Sequence, residues 1–248
     1  MRVNRQLVIR LFWSTCMLLL GLTAAQAQEL ADVQNRGIAG NSSADLLNRV
    51  DADVLSYQPD LVVILVGTND LLNTKKMVSV ADYYRNMDQL TDLIMQQDVQ
   101  VVLVSPPTVD TVYLFERHDA SRFPQPPMQL LALCRDTLQV ICREKELPFV
   151  DLFSHLQQVG IPCHDQDDII LNEKNSGRRD GVHLTPKGNR LLAWLIYEQL
   201  KESFTDLAGL KIVCFGDSIT FGVFLDGEGT TEGDTYPAVL KQFIQDGI

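Results

Sequence analysis

Apolar runs of strand length constrain the fold of this chain more than any other feature. Leu61 to Val66, Val99 to Val104 and Leu210 to Phe215 each span six residues and are almost wholly apolar. Such runs are typical of parallel strands, which helices cover on both faces of the sheet. The sequence therefore predicts an α/β architecture rather than an all-helical or all-strand one.

Helical patterns fill the segments between these runs. Apolar residues recur at spacings of three and four within Val80 to Met95, which predicts a helix with one buried face. Further helices are predicted at Ser43 to Leu55, Met128 to Lys145, Thr185-Pro186 to about Phe204 and Tyr236 to Gln245, further strands at Val33 to Asn35 and Pro148 to Leu152, and loops at 108–126, 160–182 and 226–234. Alternating strands and helices predict a three-layer α/β/α, flavodoxin-like sandwich with a mostly parallel five-stranded sheet.

Charge and length narrow the functional classes. The chain has 248 residues and a formal charge of -11, with a pI near 4.7. This length suits one α/β domain, predicted over 28–248. The negative charge makes nucleic acid an unexpected partner. The sequence does not determine the oligomeric state.

The first 27 residues have the pattern of a signal peptide. Arg2, Arg5 and Arg10 form a basic region, Leu11 to Leu22 is a short apolar run, and Ala25-Gln26-Ala27 has the small residues of a cleavage site. We expect export to the periplasm or the medium, with no stable membrane insertion after cleavage. An uncleaved anchor is the alternative.

Four cysteines follow this segment: Cys134, Cys142, Cys163 and Cys214. The first two are eight residues apart on one predicted helix, about 12 Å along its axis, too far to bridge each other. A Cys142–Cys163 pair is conceivable, but mostly free thiols are expected.

A serine follows the last apolar run. Gly216-Asp217-Ser218-Ile219 comes directly after Leu210 to Phe215, and a turn leaving a parallel strand is where a nucleophile on an open sheet is expected. Ser218 is therefore the candidate nucleophile.

A histidine and an aspartate on one loop are the candidate base and its orienting group. Asp180 and His183 are three residues apart, which lets the carboxylate reach Nδ1 and leaves Nε2 free for the serine proton. The other three histidines of the domain (His118, His155 and His164) lack such a pattern and are interpreted as surface or loop residues. No spacing predicts a metal site.

Three groups are candidate donors to an oxyanion: the backbone N–H of Ser218, the backbone N–H of Gly40 and the side-chain amide of Asn69. A side chain at residue 40 would obstruct the substrate carbonyl. Gly37 is interpreted as a turn residue, and Asp70 as a cap of its own turn.

Four segments together carry a resemblance to a family: Asn35 to Asn41, Gly67 to Asp70, Asp180 to Asn189 and Gly216 to Ile219. They resemble the signature blocks of the SGNH (GDSL) hydrolase family of serine esterases. The resemblance implies a cofactor-free serine esterase that uses Ser218, His183, Asp180, Gly40 and Asn69.

The block order departs from the family, in which the Gly-Asp-Ser block comes first. Joining the end of the chain to Glu29 would give a helix end, a short connection and the strand before Gly37, as in an unpermuted member. We therefore expect a circular permutation, with Leu207 to Gly209 as the new linker. A tandem protein cut off early in its second domain is the alternative.

The expected function is hydrolysis of short-chain acyl esters, acetyl esters foremost, through an acyl-enzyme. The substrate is expected to be a small-molecule or carbohydrate ester. The alternatives are a lysophospholipase or thioesterase of the same family and a catalytically silent relic that binds glycans.

Overall fold

The computed structural model describes residues 31–247. The predicted signal peptide (residues 1–27) lies outside them, so it remains a prediction. Among the described residues, no helix is long and apolar enough to cross a bilayer.

Five parallel strands form one sheet. Strand β5 (Lys211–Gly216) pairs with β1 (Asp32–Gly37) on one side and with β2 (Leu61–Leu65) on the other. Strands β3 (Gln100–Val104) and β4 (Phe149–Val150) continue the sheet beyond β2. With β5 counted as the first strand, this is the flavodoxin-like order 2-1-3-4-5. The predicted α/β class and the five-stranded parallel sheet are confirmed.

Helices cover both faces of this sheet. Leu61, Val63 and Leu65 pack into one core cluster, and Val62 and Ile64 pack into the other, because successive side chains of a strand point to opposite faces. The long helices are α1 (Ser43–Asp53), α3 (Val80–Met95) and α5 (Pro127–Lys145) on one side and α8 (Pro186–Ser203) and α10 (Tyr236–Asp246) on the other.

The segment 108–126, predicted to be irregular, contains helix α4 (Thr111–Arg117) and a 3₁₀ turn at Ala120–Arg122. The prediction was wrong because α4 is too short to show a clear period. Its beginning is fixed by Asp110, whose carboxylate accepts the N–H of Val112 at 2.9 Å.

Other short helices also escaped the sequence patterns, which need longer windows. They are α2 (Thr68–Leu72), α6 (Leu152–Gln158), α7 (Glu173–Ser176) and α9 (Ser218–Phe221). Strand β4 is shorter than predicted because Asp151 caps α6 by accepting the N–H of Ser154.

The four cysteines of the described residues are free, as expected. Cys163 is exposed, whereas the other three are buried. Burial raises the pKa of the Cys142 thiol to about 12, so this group stays protonated and unreactive at neutral pH.

Candidate active site

Ser218 is the first residue of α9 and follows β5 at the carboxyl edge of the sheet. Asp217 caps this short helix by accepting the N–H of Ile219 at 2.9 Å. The amide of Ser218 belongs to the first turn, whose N–H groups have no partner within the helix.

Two glycines let α9 lie against the strand ends. A Cβ on Gly37 would lie 2.1 Å from the backbone nitrogen of Phe221, and one on Gly216 would lie 2.2 Å from Oγ1 of Thr220. Gly37 is the last residue of β1. Its interpretation as a turn residue was therefore wrong, because its role is close approach between backbones.

The structure brings Ser218, His183 and Asp180 together. Nε2 of His183 lies 2.9 Å from Oγ of Ser218, and Nδ1 of His183 lies 2.9 Å from Oδ2 of Asp180. The distances suit proton transfer from the hydroxyl to an imidazole that the carboxylate orients.

The Asp180 carboxylate is buried and fully used. Its Oδ1 accepts the N–H groups of Val182 and His183, and its Oδ2 also accepts Nη1 of Arg117 at 3.0 Å. Burial alone would raise the pKa of Asp180, but the hydrogen bonds and charge of His183 outweigh it and hold that pKa well below its usual range. The group therefore stays ionised beside the imidazole.

The loop that carries this pair is fixed by Gly181. Its φ is +74°, and a Cβ there would lie 2.8 Å from the carbonyl oxygen of Asp110. The N–H of Asp110 donates to the carbonyl of Gly181 at 2.7 Å. The beginning of α4 thus supports the loop of Asp180 and His183.

Asn69 lies in α2, just beyond β2. Its Nδ2 donates to the carbonyl of Asn41 at 3.0 Å and lies 3.5 Å from Oδ2 of Asp217. One hydrogen of this amide thus holds the loop that follows Gly40. Gly40 has a φ of +79°, and a Cβ there would meet no atom within 4 Å.

One cavity of about 280 Å³ joins most of these groups. Ser218, His183, Asp180 and Asn69 line it, whereas Gly40 lies on the adjoining loop and is not part of its wall. The remaining wall is formed by Thr68, Leu72, Asn73, Leu114, Arg117, His118, Val182 and Phe224.

Arg49 of α1 connects several segments at the carboxyl edge of the sheet, a role that the sequence pattern did not predict. Its guanidinium donates to Oδ1 of Asn41 at 2.7 Å, the carbonyl of Gly216 at 2.9 Å and the carbonyl of Arg36 at 3.0 Å. The same group lies 4.3 Å from the ring centroid of Phe215. Arg49 therefore connects the ends of β1 and β5 with the Gly40–Asn41 loop.

Two buried carboxyl groups lie behind the site. Asp70 accepts hydrogen bonds from the N–H and hydroxyl of Ser43, so it holds the beginning of α1 rather than capping its own turn. Burial raises the pKa of Asp70 despite these bonds. Burial likewise raises the pKa of Asp217 to about 7, and the nearby charge of Asp70 adds to the shift.

Two other histidines have partners that their spacing did not reveal. His118 lines the cavity, and its Nδ1 lies 3.0 Å from Oγ1 of Thr74. Nδ1 of His164 lies 2.6 Å from Oδ2 of Asp110, 54 residues away in the chain. Both residues lie outside helices and strands and neither is buried, in agreement with their interpretation as surface or loop residues. Within residues 31–247, no group of three or more His, Cys, Asp or Glu side chains could hold a metal ion.

Comparison with known proteins identifies the family. The model of the GDSL-like lipase/acylhydrolase family matches residues 19–191, a span that includes Asn69 and His183 and ends before β5. The GDSL esterase/lipase CPRD49 of Arabidopsis thaliana is 27% identical over 186 residues, which cover 70% of this chain and 68% of that protein.

Solved structures share the fold. The lipase/acylhydrolase of Enterococcus faecalis has a TM-score of 0.50 and 26% identity, over 66% of this chain and 72% of that one. The acetylxylan esterase Axe2 of Geobacillus stearothermophilus has a TM-score of 0.51 and 22% identity, over 66% and 69% of the two chains. The chain belongs to the GDSL-like lipase/acylhydrolase (SGNH hydrolase) family and is a carboxylic ester hydrolase.

Proposed function

We propose that this enzyme hydrolyses short-chain acyl esters, acetyl esters of small molecules or carbohydrates foremost, through an acyl-enzyme on Ser218. The observation that carries the proposal is the 2.9 Å contact between Oγ of Ser218 and Nε2 of His183, whose ring is oriented by Asp180. Acetylxylan esterases are among the solved structures that share the fold, which makes acetyl esters the first substrates to test.

The reaction has two symmetrical halves. Oγ of Ser218 attacks the ester carbonyl carbon while its proton moves to Nε2 of His183, and Asp180 stabilises the imidazolium. The oxyanion accepts hydrogen bonds from the amides of Ser218 and Gly40 and from Nδ2 of Asn69. Collapse of this intermediate breaks the bond to the alcohol oxygen, which takes the proton from His183. Water then repeats the sequence and releases the acid.

The size of the cavity favours small acyl groups. At about 280 Å³, it lies at the lower end of the range for small-molecule sites, roughly 300–1,000 Å³. A lysophospholipase or thioesterase would need a longer apolar channel. A silent glycan-binding relic would have no need for the hydrogen-bonded serine, histidine and aspartate.

Replacement of the proposed nucleophile tests the proposal. Ser218→Ala should lower kcat on p-nitrophenyl acetate on the order of 10⁴-fold or more while leaving thermal unfolding unchanged. The matched control is Ser154→Ala, which removes a serine hydroxyl on α6 that accepts a hydrogen bond from Arg135 of α5 and does not line the cavity. Retention of more than a tenth of the parent activity by Ser218→Ala would refute the assignment.

We also propose that the chain is a circular permutant of the family order and is exported. Helix α10 packs against β1. The pKa of Asp32 is lowered first by hydrogen bonds from Tyr57 and Gln34 and further by the charge of Lys241 on α10. Since Asp32 is the first residue of β1, this helix lies near the beginning of that strand. Both facts favour the permutation.

Export is supported by the basic and apolar pattern of the first 27 residues and by a relative, 24% identical over 69% of this chain, called lipoprotein YqeF of Bacillus subtilis.

Moving residues 208–248 to a position before Glu29 tests the permutation. The rearranged chain should fold and hydrolyse the same esters, because every strand keeps its neighbours. Cooperative folding of residues 29–207 alone would instead support the truncated tandem protein.

A further inference from the structure

Phe224 and Arg178 form a stacked pair beside the candidate active site, and Phe224 lines its cavity. The Phe224 ring lines the cavity with Ser218, and its centroid lies 5.6 Å from that of His183 in an edge-on arrangement. Cζ of Arg178 lies 4.2 Å from the Phe224 ring centroid. The Phe224 ring therefore contacts both the guanidinium of Arg178 and the imidazole of His183, the candidate base.

The backbone holds Phe224 in an unusual conformation. Its φ is +72°, which is uncommon for a bulky residue other than glycine. Its N–H donates to Oε1 of Glu228 at 2.6 Å, and the N–H of Leu225 closes a turn onto the carbonyl of Gly222. Strained conformations of this kind persist where the surroundings fix them, and they cluster at ligand sites.

Although fixed in this way, the Phe224 side chain remains 45% exposed. An exposed aromatic ring beside a catalytic cavity offers a face to a ligand, and it also presents Arg178 in a set position.

Arg178 differs from the other two arginines near the cavity. Arg117 is paired with Asp180, and Arg179 is paired with Glu116 and Glu173. Within residues 31–247, the Arg178 guanidinium has no carboxylate or hydrogen-bond partner, since only its backbone N–H bonds, to Oγ of Ser176. Its N–H donors are available to a ligand.

The positive charge of Arg178 is opposite in sign to the net charge of the protein. The chain carries a formal charge of -11, yet the group stacked on the exposed, cavity-lining Phe224 ring is a cation. A guanidinium matches carboxylates, sulfates and phosphates with parallel hydrogen bonds, and a local charge of this kind attracts ligands of opposite sign.

We propose that Arg178, supported by Phe224, binds an anionic group of the substrate, so that the preferred esters carry a carboxylate, sulfate or phosphate close to the scissile bond. This inference rests on the proposed role of Ser218 and adds a substrate class to it. Phe224 and Arg178 would act as specificity residues, with no part in proton transfer.

Matched ester pairs test the proposal and locate the anion. 4-Acetoxybenzoate against 4-acetoxybenzamide places the charge on the alcohol, and mono-4-nitrophenyl succinate against 4-nitrophenyl butyrate places it on the acyl part. Arg178→Gln should lower kcat/KM for at least one anionic ester about tenfold more than for its neutral counterpart, mainly through KM. Added salt should weaken the preference of the parent enzyme.

The control is Arg190→Gln, because Arg190 also stacks on a phenylalanine, with Cζ 4.9 Å from the Phe243 ring, but lies on α8 outside the cavity wall. It should leave all four rates unchanged. Equal losses on charged and neutral esters in Arg178→Gln, or no loss on either anionic ester, would overturn the proposal. If the parent enzyme then still hydrolyses the neutral esters, the proposed ester hydrolysis stands and the anion-binding role alone is wrong. If the parent enzyme hydrolyses none of the four esters, the proposed function is wrong as well.

Discussion

Removal of the Arg49 guanidinium should both destabilise the fold and slow catalysis. Arg49→Met keeps most of the side-chain stem but deletes the bonds to Asn41, Gly216 and Arg36. These bonds come from a side chain that is only 14% exposed. The fourth bond, to Asp53, is a partly exposed i,i+4 pair and contributes only about 0.3–0.5 kcal/mol.

The magnitude follows from the three bonds at the edge of the sheet. A hydrogen bond to a charged group contributes about 1.5–3 kcal/mol, and water will enter to satisfy part of the vacated acceptors. We therefore expect a loss of about 3–5 kcal/mol in the free energy of unfolding. The Gly40–Asn41 loop would also lose its anchor, and a displacement of about 1 Å in a catalytic group can cost on the order of 10²-fold in rate.

Urea unfolding and steady-state kinetics on p-nitrophenyl acetate measure the two effects separately. Arg85→Met is the matched control, since Arg85 is an exposed arginine whose one ion-pair partner among residues 31–247 is Asp82 on the same helix, and it should change stability by less than about 0.5 kcal/mol. A folded Arg49→Met enzyme with kcat within twofold of the parent would refute the positioning role. Arg49→Lys should recover part of the stability but little of the rate, because an ammonium cannot reach all three acceptors.

Two further predictions concern Asn69 and Asp217. Asn69→Ala should lower kcat about 10²- to 10³-fold with little change in KM, because an oxyanion donor binds most tightly in the transition state; a change confined to KM in steady-state kinetics would contradict this. For Asp217, a folded-state pKa raised from 3.8 to about 7 means that its stabilising effect is complete below pH 3.8 and is lost as the pH rises through 7. Asp217→Asn keeps an oxygen for the N–H of Ile219 and should raise the free energy of unfolding by a few kcal/mol at pH 8 but not at pH 4; an equal effect at both pH values in urea unfolding would rule this out.

Local patterns carried the predictions that succeeded. The Val80–Met95 helix has the predicted bounds because its four buried apolar residues follow one helical period. Asp180 and His183 meet because they are three residues apart on a loop that Gly181 can turn. Both features depend on neighbours in the sequence, which is the range that periodicity and spacing describe.

Contacts between distant segments were beyond the same reasoning. Arg49 and Gly216 are 167 residues apart, and Arg117 and Asp180 are 63 apart. Nothing next to either arginine indicates its partner. Arg49 did carry one usable signal, since it lies between the buried Leu46 and Val50 on α1, and a charged residue beside a core position usually has a partner.

The position of β5 explains why block order has little bearing on the geometry of the site. Residue 218 follows β5, the Gly40 loop follows β1 and Asn69 follows β2, and these three strands are adjacent in the sheet. The carboxyl ends of adjacent parallel strands meet at one edge whichever strand comes first in the chain. The block order does change the length of the loop that must close before β1 and β5 can pair. Asp32 pairs with Lys211, so nearly all of the described chain lies between the two partners. Such distant pairing slows folding but leaves the folded arrangement of Ser218, His183 and Asn69 the same.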